Sequence, residues 1–233
     1  MRFIIDPVVF NDLPTLCIGV VTAEGMDNRG SVPSIDLLLK EAIGEARAKL
    51  QGVNLKEHPA IACYREAFRK LGYNPNKYPS SVEALTWRVA KGGEPPDINP
   101  AVNLVNAVSL KYTLPMGAHD LDSADGDIAV RYAKEGEPFT PLGETVAEAI
   151  PAGELVYADD REIRTRRWIW RQNERGKVTA ASSRIFFPVD GFTDCNQEAV
   201  EQAMQELSGH LERFFGVRTK RHFLDRGNCS ADL

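Results

Sequence analysis

The sequence predicts an α+β fold, with mixed or antiparallel sheets packed against four or five helices in one domain. Three observations carry that expectation. Strands and helices come in runs rather than in the regular βαβ alternation of a doubly wound sheet. No glycine-rich loop of the phosphate-binding kind joins a strand to a helix, so no nucleotide cofactor is expected. The 233 residues, 43% of them hydrophobic and 26% charged, are enough to bury a proper core.

Residues 2–10 and 15–22 read as two β-branched strands with a turn around Asn11-Asp12-Leu13-Pro14 between them. Ser34 is placed to cap a helix that ends at Gly52, with Ile35, Leu38, Leu39, Ala42, Ile43, Ala46 and Leu50 as its apolar stripe. His58-Pro59 opens a third segment, helical in spacing and closed by Gly72. Ser80, with Glu83 three residues on, forms a capping box for a helix that stops at Gly92-Gly93.

Residues 95–139 gather more potential site groups than any other stretch. Asn99 and Pro100 suit the N-cap and first position of a helix whose residues 101–112 are apolar on nearly every side. Asn103, Asn106 and Ser109 share one side of it, at successive spacings of three. Buried amides need partners, so they either bond to neighbouring backbone or line a polar pocket. Leu114 to Ala118 breaks the helix through Pro115 and Gly117, and the pair His119-Asp120 follows. Aspartate beside histidine can orient an imidazole for proton transfer, and a turn aspartate can equally cap backbone. Asp127 to Ala133 then alternates as a half-buried strand.

Gly153 to Asp159 reads as a strand, and residues 161–171, REIRTRRWIWR, hold the densest basic run. In a strand Trp168 and Trp170 would share one face. Arginine with tryptophan suits phosphates and stacked bases, which makes Arg164, Arg166, Arg167 and Trp170 candidate RNA contacts. The competing reading is a core tryptophan face with arginines at the exposed end. Residues 184–189 read as a core strand. Asp194, with Gln197 three on, caps a last helix ending at Gly216, and residues 217–233 read as a loosely held tail.

The totals exclude several classes. A net charge of −5 argues against a broadly basic surface. No apolar run approaches the ~18 residues of a membrane span, and the start MRFIIDPVVF lacks the regions of a signal peptide. Cys17, Cys63, Cys195 and Cys229 are far apart and show no metal spacing, so no metal is expected and the thiols read as reduced, as in a cytoplasmic protein.

The ordered blocks Ser80-Ser81, INPAVNLVNAVSL, LPMGAHDLD, GDIAVRYAKEGEPF and GELVYADD resemble the B3/B4 domain of the phenylalanyl-tRNA synthetase β subunit. The resemblance covers about residues 60–190 and implies a single domain over 1–216, a layered β/β/α sandwich. It also implies hydrolysis of a mischarged aminoacyl-tRNA ester in trans, with the aminoacylated 3′ end of tRNA as partner and no DNA or membrane. By position, Asn106 and Asp120 match family residues, and the helix and turn of 99–120 would line the pocket. His119, Asn106 and Asp120 are thereby the catalytic candidates, and Asn103, Ser109, Gly117 and Arg171 the substrate-binding ones. His119 can serve as a base or as a ligand of the substrate's hydroxyl. Gly117 stands where the family usually has histidine, His119 where it has an aromatic residue, and Trp170 to Asn173 replaces a later glycine-rich loop. Two other readings stay open: a tRNA- or RNA-binding module without catalysis, and a small-molecule hydrolase or amino-acid-binding protein.

Overall fold

The computed structural model describes residues 1–233. In chain order the elements are β1 (Arg2–Ile5), α1 (Val9–Asp12), β2 (Leu16–Ala23), α2 (Pro33–Leu50), α3 (Pro59–Lys70), α4 (Ser81–Ala90) and α5 (Pro100–Tyr112). There follow β3 (His119–Asp120), β4 (Ile128–Tyr132), β5 (Glu137–Phe139), β6 (Glu148–Ile150), β7 (Leu155–Ala158), β8 (Ile163–Arg166) and β9 (Arg171–Gln172). The chain closes with β10 (Ile185–Phe192), α6 (Gln197–Phe215), β11 (Thr219–Leu224) and β12 (Ser230–Asp232).

The strands make a six-stranded sheet ordered β12-β1-β4-β7-β8-β9, a four-stranded sheet ordered β11-β2-β10-β3, and the hairpin β5-β6. Only the β1–β4 pair is parallel, so the larger sheet is mixed and the four-stranded one antiparallel. The four-stranded sheet is the middle layer, as strand periodicity shows directly. Leu16, Ile18 and Val20 of β2 enter the core shared with Phe3, Ile5 and Tyr157 of the larger sheet. Cys17, Val21 and Ala23 enter the core shared with α5 and α6. Phe186 and Phe192 of β10 face the first core, Ile185, Phe187 and Val189 the second. The expected α+β class and β/β/α layering are therefore what the chain adopts.

The helix face fits closely. A Cβ on Gly19 would meet Met204 Sδ at 2.2 Å, and one on Gly191 would meet Val200 Cγ2 at 2.4 Å. Glycine at these two positions lets α6 lie against β2 and β10. In α5, Asn99 accepts from the Val102 amide at 3.0 Å with Pro100 at the first position, as its sequence predicts.

Several elements differ from expectation. The first strand stops at Ile5, because Asp6-Pro7 turns the chain into the short α1. α2 begins at Pro33 with no side-chain cap, and Asn196 rather than Asp194 precedes α6. The Ser80 box is half formed: Ser80 Oγ accepts from the Glu83 amide, while the Glu83 carboxylate pairs with buried Arg65 at 2.5 Å. Residues 161–171 are not one strand but two short ones around a tight turn. Residues 217–233 are not a loose tail. β11 pairs along β2, and β12 pairs with β1 from Arg2↔Asp232 to Ile4↔Ser230.

Candidate functional site

A cavity of about 150 Å³ opens where β3, β10, β7 and the turn between β8 and β9 converge. That volume is on the scale that accommodates a single benzene ring. Its walls include Tyr157, Trp168 and Trp170, with Gly117 and Pro188 at one side, and its polar side chains include His119, Gln172, Asp190, Ser81 and Thr165.

The wall at Trp168 is built by strain. Arg167 and Trp168 are consecutive non-glycine residues with φ of 44° and 62°. Each such residue costs on the order of 1–3 kcal/mol and needs surrounding structure to hold it. Glu154 does so, accepting from Arg166 Nε at 2.8 Å and from the Arg167 amide at 3.2 Å, while the Trp168 amide donates to Leu155 O at 2.6 Å. The turn sends the Trp168 ring into the core, where it is fully buried.

His119 is buried, and its ring stacks on Tyr157 with centroids 6.0 Å apart. Burial first, and the Arg164 charge second, push its pKa down to about 3, so the imidazole is neutral. Its tautomer follows from Gln172. The Gln172 amide nitrogen donates to Ala118 O at 2.8 Å and Gly176 O at 3.2 Å, which fixes which end is nitrogen. That nitrogen lies 3.3 Å from His119 Nδ1 and has no lone pair to accept with, so Nδ1 carries no proton. The proton is on Nε2, which has no protein partner and is not sealed from solvent. His119 thus offers a donor to the cavity rather than a base.

Asp190 was missed by the sequence reading, which ended the strand at Val189. It lies inside the continuous, wholly buried run of β10. Its Oδ1 accepts from Tyr157 OH at 2.7 Å and Trp168 Nε1 at 2.6 Å. Its Oδ2 has no protein donor and is not sealed off. Burial pushes the Asp190 pKa up to about 7 against the pull of those two hydrogen bonds. A charged residue in an otherwise apolar strand was the signal that could have found it.

The other expected residues divide sharply. Gly117 lines the cavity with His119, and there its lack of a side chain matters, because a Cβ would sit 3.3 Å from His119 Nε2. Trp170 also lines it. Asn103, Asn106, Ser109, Asp120 and Arg171 do not. Asn103 donates to Asp97 at 2.7 Å, and Ser109 Oγ donates to Leu114 O at 2.7 Å, closing the helix end. Asn106 is half-buried on α5. Asp120 organises its own turn, accepting from the Asp122 amide at 2.8 Å and from Ser182 Oγ at 2.5 Å. Local bonding of this kind, which short polar side chains offer, occupies Asn103, Ser109 and one oxygen of Asp120.

The basic run is neutralised internally. Arg164 is 0% exposed and pairs with Asp159 at 2.9 Å, also donating to Asp120 O and Ser123 Oγ. Arg166 pairs with Glu154 and Glu148, Arg167 with Glu154, Arg171 with Glu144, and Arg161 with Asp125. The Arg167 guanidinium stacks over Tyr78 at 3.8 Å and Trp170 at 4.6 Å. Arg164 therefore cannot reach an RNA, and Arg166 and Arg167, with 12% and 14% of their side chains exposed, act as wall supports. No group of three or more His, Cys, Asp or Glu is placed to hold a metal.

The profile of the B3/4 domain family matches residues 63–216. The phenylalanine–tRNA ligase β subunit of Fusobacterium nucleatum is 36% identical over 132 residues, 56% of this chain and 16% of that protein. That of Idiomarina loihiensis is 38% identical over 89 residues, 38% of this chain and 11% of that protein. The chain thus spans less than a fifth of the length of these curated relatives. An N-terminal fragment of the phenylalanyl-tRNA synthetase β subunit from Pyrococcus horikoshii shares the fold, with a TM-score of 0.52 at 12% identity, over 93% of this chain and 49% of that one.

Proposed function

Since this chain belongs to the B3/4 domain family, we propose that it is a trans-acting editing enzyme that hydrolyses a mischarged aminoacyl-tRNA ester. The observation that carries the reading is the aromatic-walled cavity of about 150 Å³ with a neutral imidazole donor in it. Its size suits the side chain or α-carbon end of one amino acid and excludes a nucleotide.

Ester hydrolysis needs an attacking water, a proton acceptor and donors for the developing oxyanion. His119 Nε2–H is the donor, held in its tautomer by Gln172. Ser81 lines the cavity and its amide donates to Ile169 O at 2.8 Å, but no hydrogen bond joins its hydroxyl to a side-chain base, so it lacks the partner a serine nucleophile needs. Water attacks the ester carbonyl directly; the vicinal hydroxyl of the terminal ribose takes a proton from the water as it passes its own to the leaving ribose oxygen, so the amino acid and the free ribose hydroxyl depart. The pairing of the 161–171 arginines with carboxylates disfavours a module that binds RNA through that run and does nothing else.

The test is deacylation of a panel of mischarged tRNAs by the purified protein. Tyrosine and other near-phenylalanine amino acids on phenylalanine tRNA come first, then unrelated pairs. Turnover on one pair names the substrate. Salt-sensitive tRNA binding without turnover on any pair would replace the enzyme with a binding module.

A further inference from the structure

Asp190 is a buried carboxyl without a counter-charge. No Lys, Arg or His nitrogen lies within ion-pair distance of it, although 21 such pairs occur elsewhere in the molecule. Its Oδ1 is held by two neutral donors, Tyr157 OH and Trp168 Nε1, while Oδ2 opens to the cavity. A carboxylate out of water is costly unless a cation or a proton joins it. Around it stand the rings of Tyr157, Trp168 and Trp170, whose faces favour cations as well as apolar groups.

From this arrangement we infer that Asp190 is the receptor for a positively charged amino group, and that the cavity takes ligands carrying a free ammonium beside a small aromatic or apolar group. The inference rests on the reading above that the cavity receives the aminoacyl end, and it adds a substrate requirement: the α-ammonium must be free, so N-acylated aminoacyl esters are refused.

Binding is an exchange. The ammonium enters, the Asp190 carboxylic acid releases its proton to solvent, and the ion pair forms in place of the O–H bond. Every other titratable group facing Asp190 holds one state between pH 5 and 9. Tyr157 on β7 and Tyr64 on α3 are pushed well above 10, and Cys17 on β2 up to about 12. His119 on β3 is neutral above about 3. The groups offered by the turn and by the residue preceding α6, Trp168 Nε1 and the Asn196 amide on Tyr64, do not titrate.

Calorimetric titration with phenethylamine, and with the uncharged phenethyl alcohol as its isostere, tests this. The amine is expected to tighten about tenfold per pH unit from pH 5 to 7 and to level off above it, with proton release at pH 6 visible as a buffer-dependent heat. The alcohol is expected to bind more weakly and without slope. Asp190→Asn, once shown to be folded, is expected to lose at least tenfold in amine affinity at pH 8 and to lose the slope. Equal binding of amine and alcohol, no amine binding at pH 8, or a flat pH dependence in the unaltered protein would overturn the inference without any variant. Amine binding as expected with no tRNA deacylated would keep the ammonium receptor and remove the hydrolase; deacylation with pH-flat amine binding would do the reverse.

Discussion

At the residue scale, His119 and Asp190 show how position rewrites a side chain. The same burial drives the imidazole to neutrality and holds the carboxyl near pH 7. If His119 acts as a donor, His119→Ala lowers kcat on the order of 10²- to 10³-fold, and His119→Gln, which keeps an N–H at a similar reach, recovers part of the loss. A base would not be rescued by an amide, so steady-state kinetics of the two variants separates the roles. If Asp190 must be ionised, kcat/KM falls about tenfold per pH unit below about 7, and Asp190→Asn removes that slope while His119→Gln leaves it in place. The stability effect runs the other way. The Asp190 pKa rises from 3.8 unfolded to about 7 folded, so its favourable contribution is complete below 3.8 and disappears as pH climbs through about 7. Asp190→Asn should therefore stabilise the protein at pH 8, by on the order of 1.4 kcal/mol for each pH unit in that interval, and lose this advantage toward pH 4. Melting curves at the two pH values read it directly. His119 and Gly117 were legible in the sequence because they sit at a helix-breaking turn. Asp190 was not, because the strand read from the sequence stops at Val189, one residue short of it, whereas β10 runs on to Phe192.

At the scale of elements, the turn joining β8 to β9 is the part the sequence misrepresented. Alternation of Trp168, Ile169 and Trp170 is the pattern of a strand, and nothing in the residue types announces two successive positive φ angles. The support is legible only in three dimensions, where Glu154, distant by a dozen or more residues, gathers Arg166 and Arg167. Glu154→Gln is expected to release the turn, lowering stability by about 1–3 kcal/mol and speeding hydrogen exchange at the Trp168 amide. The helix of 100–112, by contrast, was read correctly from Asn99, Pro100 and its apolar run, because capping and burial are local properties. What failed there was the assignment of its polar line to the cavity, since Asn103 and Ser109 bond within their own ends of the helix. Behind the turn, Arg164 and Asp159 form an ion pair with neither side chain exposed. Arg164→Met leaves the buried Asp159 with backbone amides and Arg175 as its one remaining cationic partner, and should cost about 3–5 kcal/mol by urea denaturation.

At the scale of the whole molecule, the layers are held by the chain's two ends. β1 lies between β12 and β4, and β2 between β11 and β10, so each sheet takes a strand from the first and from the last part of the sequence. Removing residues 217–233 exposes the edges of β1 and β2 and takes buried Leu224 out of the first core. The truncated protein is expected to aggregate or to melt far below the full chain, which solubility and circular dichroism would show. This closure has a consequence in time. Strands from opposite ends can pair only after nearly all the intervening chain has been gathered, and the entropy of closing so long a loop is met before the contacts that reward it. Folding should therefore be slow for a chain of this size, with the helices and the β4–β7–β8 meander formed early. During synthesis both sheets must wait, each one strand short, until β11 and β12 have left the ribosome.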